Sequence, residues 1–178
     1  MTHASRNTTT GLIFEKETPI NKIFSNLKED STIYFAANGK DAIRTGMENW
    51  LKFVNTLPNI PLVKDGAGHK HPSFWGKNHI PDGAILYHDK LLIIEKKSQE
   101  VNGSADEKIG VGDFKLSRFE MLLPYINQIR EVNEIYYVYL LKKDWYDFPK
   151  YWEVMNYVRS KDSRVIYLFT GDTLQLGD

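Results

Sequence analysis

The sequence predicts an α/β domain with a central mixed β-sheet flanked by helices. Three observations carry this. Short β-rich runs share the chain with amphipathic helical stretches. One pair of runs, Ala84–Tyr87 and Leu91–Ile94, is separated only by His88-Asp89-Lys90 and reads as an antiparallel hairpin. After it the order is helix, strand, helix, strand, which adds a parallel component to the sheet.

Taken in order, Thr18-Pro19 opens a helix, a hydroxyl cap followed by Pro at the first helical position, with Ile20, Ile23, Phe24 and Leu27 on one face. Thr32–Ala36 is a short apolar strand. Asp41–Thr56 is a helix whose stripe is Ile43, Met47, Trp50, Leu51 and Val54, stopped by Pro58 and Pro61. Residues 61–79, rich in Gly, His, Lys and Pro, read as a long loop. Beyond the hairpin, "SQEVNGSADEKIGVGD" is polar and Gly-punctuated. A helix covers Phe114 to Ile129, with Phe119, Leu122, Leu123 and Ile126 inward and a kink expected at Pro124. Glu134–Leu141 is a strand, Pro149–Ser160 a helix with Trp152, Met155 and Val158 on one side, and Val165–Phe169 the last strand.

At 178 residues the chain is expected to form one domain, with Met1 to Thr10 as a loosely held polar arm. Formal net charge is zero, so a nucleic-acid partner would need a local basic patch. There is no cysteine, which excludes disulfides, thiolate metal sites and a Cys nucleophile and fits a reducing cytoplasm. No signal-peptide pattern and no apolar run of membrane-spanning length is visible, so no membrane partner is expected.

The chemistry gathers at the end of the hairpin. Strand side chains alternate, so Glu95 and Lys97 share a face and Lys96 takes the other, toward solvent or DNA. The hairpin returns the chain so that Asp82 meets the end of the second arm. Two carboxylates at one point repel unless a cation lies between them, and Mg²⁺, which takes one or two carboxylates, answers that need. Lys97 would then orient or deprotonate a water, or stabilise charge on a phosphate. The plainer alternative is that Asp82 caps a turn and the charges leave the core for water.

Pro81-Asp82, twelve residues, then Glu95-Lys96-Lys97 resembles the PD-(D/E)xK nuclease superfamily. "GLIFEKET" from Gly11, "IPDGAILYHDKLLIIEKKSQEVNGSADEKI" from Ile80 and "DFKLSRFEMLLPYI" from Asp113 look like its type II restriction endonucleases, over about half the chain. The resemblance implies a restriction-endonuclease-like core and a Mg²⁺-dependent enzyme that cuts double-stranded DNA as a homodimer; the alternatives are a junction resolvase or repair nickase on the same scaffold, or a non-cleaving DNA-binding module. By position it makes Asp82 and Glu95 metal ligands, adds the main-chain carbonyl of Lys96, and makes Lys97 the catalytic lysine. Gln99 would hold water or phosphate, and Glu15 matches an acid that relatives carry near the metal, against the alternative of a solvated first-turn acid.

Ser104, Lys108 and Lys115 could bind DNA phosphates near the start of the following helix, a role that the resemblance favours over a polar loop with a helix cap. In "HKHPSFWGKNH", Lys70, Lys77 and Trp75 are candidate DNA contacts; the histidines lack the spacing of an HNH nuclease and no Cys completes a zinc site. Tyr136, Tyr137 and Tyr139 read as strand packing, not as a base-stacking platform.

Overall fold

The computed structural model describes residues 14, 18, 32–36, 40–98 and 104–174. The helix expected from Pro19, the 1–10 arm, Glu15 and Gln99 lie outside the described residues.

The elements are β1 (Thr32–Ala36), α1 (Lys40–Thr56), β2 (Leu62–Lys64), β3 (Lys70–Pro72), β4 (Gly83–Tyr87), β5 (Lys90–Lys97), α2 (Ala105–Ile109), α3 (Gly112–Glu120), α4 (Leu123–Ile126), β6 (Glu134–Leu141), α5 (Lys143–Tyr146), α6 (Pro149–Lys161) and β7 (Val165–Phe169). The main sheet is five-stranded, in the order β1-β4-β5-β6-β7. β4 is antiparallel to β1 and β5, whereas β5, β6 and β7 run parallel. This is the mixed sheet that the hairpin and the later helix–strand order require.

Its two faces differ. Ala84, Leu86, Leu91, Ile93, Tyr137, Tyr139, Val165 and Tyr167 point to one side, where they meet Trp50 and Val54 of α1, Leu116 and Phe119 of α3, and Met155 and Val158 of α6. Both parallel crossovers place helices on this face, as two crossovers of one hand do when the strand order runs on in one direction. The opposite face carries Ile85, Tyr87, Leu92, Ile94, Val138, Leu140 and Leu168, with Phe14 against it. Each Leu or Ile buried in these layers contributes about 1.5–3 kcal/mol, so the central strands anchor whatever is attached to their ends.

Several expectations are corrected. The hairpin turn is only His88-Asp89, because Tyr87 pairs with Lys90, and His88 adopts a left-handed φ of 50° to make it. β5 does not stop at Ile94: Glu95, Lys96 and Lys97 stay in the strand, paired with Tyr139, Leu140 and Leu141 of β6. The 61–79 loop contains a second, two-stranded sheet of β2 and β3. Its connection is held by Asp65, whose Oδ1 accepts from the backbone N–H of Ala67 and His69 at 2.9 and 2.8 Å. The segment before Gly110 forms α2, with Ala105 and Ile109 buried. The helix expected from Phe114 to Ile129 is two helices broken at Met121-Leu122, with Pro124 in the first turn of the second. In α6, Tyr151 rather than Trp152 faces inward; Trp152 is 45% exposed. Among the described residues no helix is long and apolar enough to cross a membrane.

Candidate active site

β4 begins at Gly83, opposite Ile94. One step further in that register sets Asp82 against Glu95, and opposed residues of an antiparallel pair share a face. The Asp82 carboxylate replaces the ladder where β4 has ended: its Oδ2 accepts from the backbone N–H of Lys96 at 2.7 Å. A strand residue's N–H and C=O point to the same edge, so the Lys96 carbonyl is presented on the Asp82 side. The backbone of Lys97 turns the other way, and its carbonyl accepts from the N–H of Lys142 at 3.1 Å.

Glu95 Oε1 accepts from the Lys97 ammonium and, at 3.3 Å, from that of Lys115. The Tyr137 hydroxyl also hydrogen-bonds Glu95, and burial, followed by the negative charge of Glu95, raises its pKa well above the usual tyrosine value. For Glu95 itself burial alone works upward, but the two ammoniums outweigh it and hold the carboxyl below its ordinary range. Lys115 sits 5.7 Å from the ring centroids of both Tyr137 and Tyr139, whose faces favour a cation there.

Lys115 is delivered by α3, and α3 is seated tightly. A Cβ at Gly112 would lie 2.6 Å from Val165 Cγ1 and 3.0 Å from the Tyr139 ring, so only glycine allows this approach. The preceding helix is fixed by two sheet tyrosines. The Tyr139 and Tyr167 hydroxyls donate to the carbonyls of Lys108 and Ile109 at 3.1 and 2.6 Å, satisfying acceptors that the end of α2 would otherwise leave open. Leu116 and Phe119 bury the inner side of α3, while Lys115 and Arg118, one turn apart, flank a cleft of about 450 Å³.

Glu95, Lys115, Arg118, Phe114, Lys77 and His79 line that cleft. Arg118 donates to His79 Nε2. Burial and then the positive charges of Arg118, Lys77, Lys115 and His71 lower the His79 pKa from 6.5 to about 4, so the ring is a neutral acceptor near neutral pH.

Of the expected site residues, Asp82, Glu95 and Lys97 come together at the end of β5, with the Lys96 backbone beside them. The Lys96 side chain is on the opposite face as expected, but it is 4% exposed, which corrects its reading as a solvated group. Lys115 belongs to this site through Glu95. Lys77 lines the cleft, whereas Lys70 is exposed on β3, and Ser104 and Lys108 are exposed at α2, outside its walls. Trp75 is corrected from a DNA contact to a core residue: it is buried, and its indole donates to the Arg118 carbonyl at 2.9 Å. Tyr137 and Tyr139 are buried in the strand, as expected. Arg118, His79 and the Tyr137 hydroxyl were missed. The signal for Arg118 was its three-residue spacing from Lys115 in "DFKLSRF".

Among the described residues no three His, Asp or Glu side chains cluster as a metal cage. The donors present, two carboxylates and a main-chain carbonyl on one edge, are nonetheless hard oxygens in the number that Mg²⁺ takes from protein, water or phosphate supplying the rest. They therefore fit such an ion. Comparisons of the chain with family models, with characterised proteins and with solved structures return no match.

Proposed function

We propose that this protein is a Mg²⁺-dependent type II restriction endonuclease with a PD-(D/E)xK core, acting as a homodimer on double-stranded DNA. One observation carries the reading: at the end of a buried strand Asp82 binds the backbone N–H of Lys96, between Glu95 and Lys97, which are in direct contact within a strand that continues through them. A strand merely leaving the core would not keep its terminal charges paired along a central neighbour.

In this reading Asp82, Glu95 and the Lys96 carbonyl hold the metal, which when bound supplies positive charge beside the phosphate under attack. Glu95 fixes the Lys97 ammonium, and Lys97 orients the attacking water or meets charge growing on the phosphate oxygens. Water adds to phosphorus, the 3′ oxygen leaves and takes a proton, and the products carry 5′-phosphate and 3′-hydroxyl ends. Lys77 and Lys115 supply the local positive charge that a neutral chain needs for a polyanion.

The test is incubation with plasmid and Mg²⁺. The unsubstituted protein should give discrete bands, and Lys97→Ala and Asp82→Ala should each lower the rate by at least about a hundredfold. Ca²⁺ should support binding with little cutting. Absence of discrete cutting by the unsubstituted protein, or cutting that both variants retain, sinks the assignment. Preference for branched or damaged duplex would move the function to a junction resolvase or repair nickase on the same scaffold.

A further inference from the structure

The Arg118–His79 pair lines the cleft but takes no part in the chemistry above, and it is firmly built. The Arg118 guanidinium donates to His79 Nε2 and stacks 4.3 Å from the Phe114 ring centroid. The backbone at each end is pinned by a buried indole: Trp75 donates to the Arg118 carbonyl at 2.9 Å and Trp50 to the His79 carbonyl at 2.8 Å. The Trp75 ring meets the His79 ring edge to face at 5.3 Å.

The partner is what gives this arrangement a purpose. A guanidinium placed for stability normally meets a carboxylate, as Arg164 meets Asp162 and Glu120. Among the described residues no carboxylate pairs with Arg118; its acceptor is an imidazole kept neutral by burial and by the surrounding cations. His79 thus orients the guanidinium without cancelling its charge. Of five N–H donors arranged in a fixed fork, it occupies a small part. Glu95, the carboxylate in the cleft lining, is already held by Lys97 and Lys115.

We propose that Arg118, oriented by His79 and assisted by Lys77, is a phosphate-binding residue that grips a phosphodiester group one helical turn along α3 from the Glu95–Lys115 contact. This rests on the nuclease reading only for the source of the phosphate. A bidentate grip would fix the strand while a neighbouring phosphate faces Lys97.

Two measurements on the full chain test it. In the first, inorganic phosphate is titrated while the His79 imidazole resonances are followed by NMR. They should shift in the unsubstituted protein and stay still in Arg118→Met. In the second, a short fluorescent duplex is bound in Ca²⁺ across a salt series. Arg118→Met should weaken binding about tenfold and reduce the log–log salt slope by about one. Arg118→Lys should recover the slope but not all the affinity, because the fork is lost. His79→Gln, which keeps a neutral acceptor, should lose less affinity than His79→Ala, which leaves the guanidinium without one. A phosphate response without duplex binding upholds the anion site and removes DNA as its source. Duplex affinity and slope unchanged in Arg118→Met, with no phosphate-induced shift in the parent, overturns the inference and leaves the nuclease reading standing.

Discussion

Two clusters of three charges invert one another. At the end of β5, one carboxylate, Glu95, lies between two ammoniums, Lys97 and Lys115. Beside β7, one guanidinium, Arg164, lies between two carboxylates: Nη2 reaches Asp162 Oδ2 at 2.6 Å and Nη1 reaches Glu120 Oε1 at 2.5 Å. The Arg164 cluster is a closed fork at the surface. A further bond from its Nε to Asp162 Oδ1 at 3.0 Å makes the Asp162 contact bidentate, and hydrogen bonding there raises the arginine pKa and lowers that of Asp162. Glu95 is held by lysines instead, point charges on flexible stems that can turn away, and it opens on a cleft. The Arg164 cluster joins α3 to the approach of β7. The Glu95 cluster can exchange its counter-ions, as the proposed metal and phosphate site would require.

The comparison breaks most readily at Glu95. Glu95→Gln should abolish cutting, with a loss of at least about a hundredfold in rate. Stability should fall by only about 1 kcal/mol, because both freed ammoniums are partly exposed and can return to water. Denaturant midpoints set against cleavage rates separate the two effects. A large stability loss with residual cutting would make Glu95 a structural ion like Arg164.

Gly112→Ala comes next, because it tests whether the cleft depends on how α3 is seated. The added methyl meets Val165 and Tyr139 at distances no relaxed side chain tolerates. The expected cost is about 1–3 kcal/mol from overpacking. The resulting shift of Lys115 and Arg118 should slow cutting by about tenfold or more. Parental stability and rate in this variant would show that α3 accommodates a methyl without moving.

The contrast between these regions was only partly legible in the sequence. Period-two alternation is enough to place Glu95 and Lys97 together and Lys96 apart. Long apolar runs such as Glu134–Leu141 declare themselves, and that strand has the bounds expected. β2 and β3 are three-residue strands carrying Lys and His, too short and polar for any period to register. Lys115 was legible as a basic residue near a helix start, but nothing local reveals that α3 folds back onto β5 and brings it to Glu95. Trp75 looked like a loop aromatic because its burial depends on α3, where its indole bonds Arg118, 43 residues later. Fold class and the hairpin site follow from local pattern; the second wall of the cleft follows from tertiary packing, which spacing rules do not contain.

His79 offers a subtler probe of the same wall. Its folded-state pKa is depressed from 6.5 to about 4, so between those values the unfolded chain binds a proton that the folded chain refuses. The stability associated with the neutral ring is therefore complete above about pH 6.5 and declines as pH falls toward 4. The groups that press on it are Arg118, Lys77, Lys115 and His71. His79→Gln should flatten that part of the stability–pH profile relative to the parent. Identical profiles would mean that the ring is neither buried nor surrounded by cations as described.

The smallest effect is expected at the Arg164 cluster. Arg164→Ala removes a fork whose partners are about a third exposed or less. Surface pairs of this kind contribute up to about 1 kcal/mol, and the bidentate geometry puts this one near the top of that range. Both freed carboxylates can hydrate, so the loss should not exceed it, and raised salt should shrink the difference from the parent. Cleavage rate should not change, since the cluster holds α3 from the side away from the cleft and Gly112 and Leu116 still seat that helix. A drop in rate larger than the stability loss explains would mean that Glu120, tethered by Arg164, helps set the position of Arg118 two residues before it. The two charge clusters would then be one mechanical unit, joined through a single turn of α3.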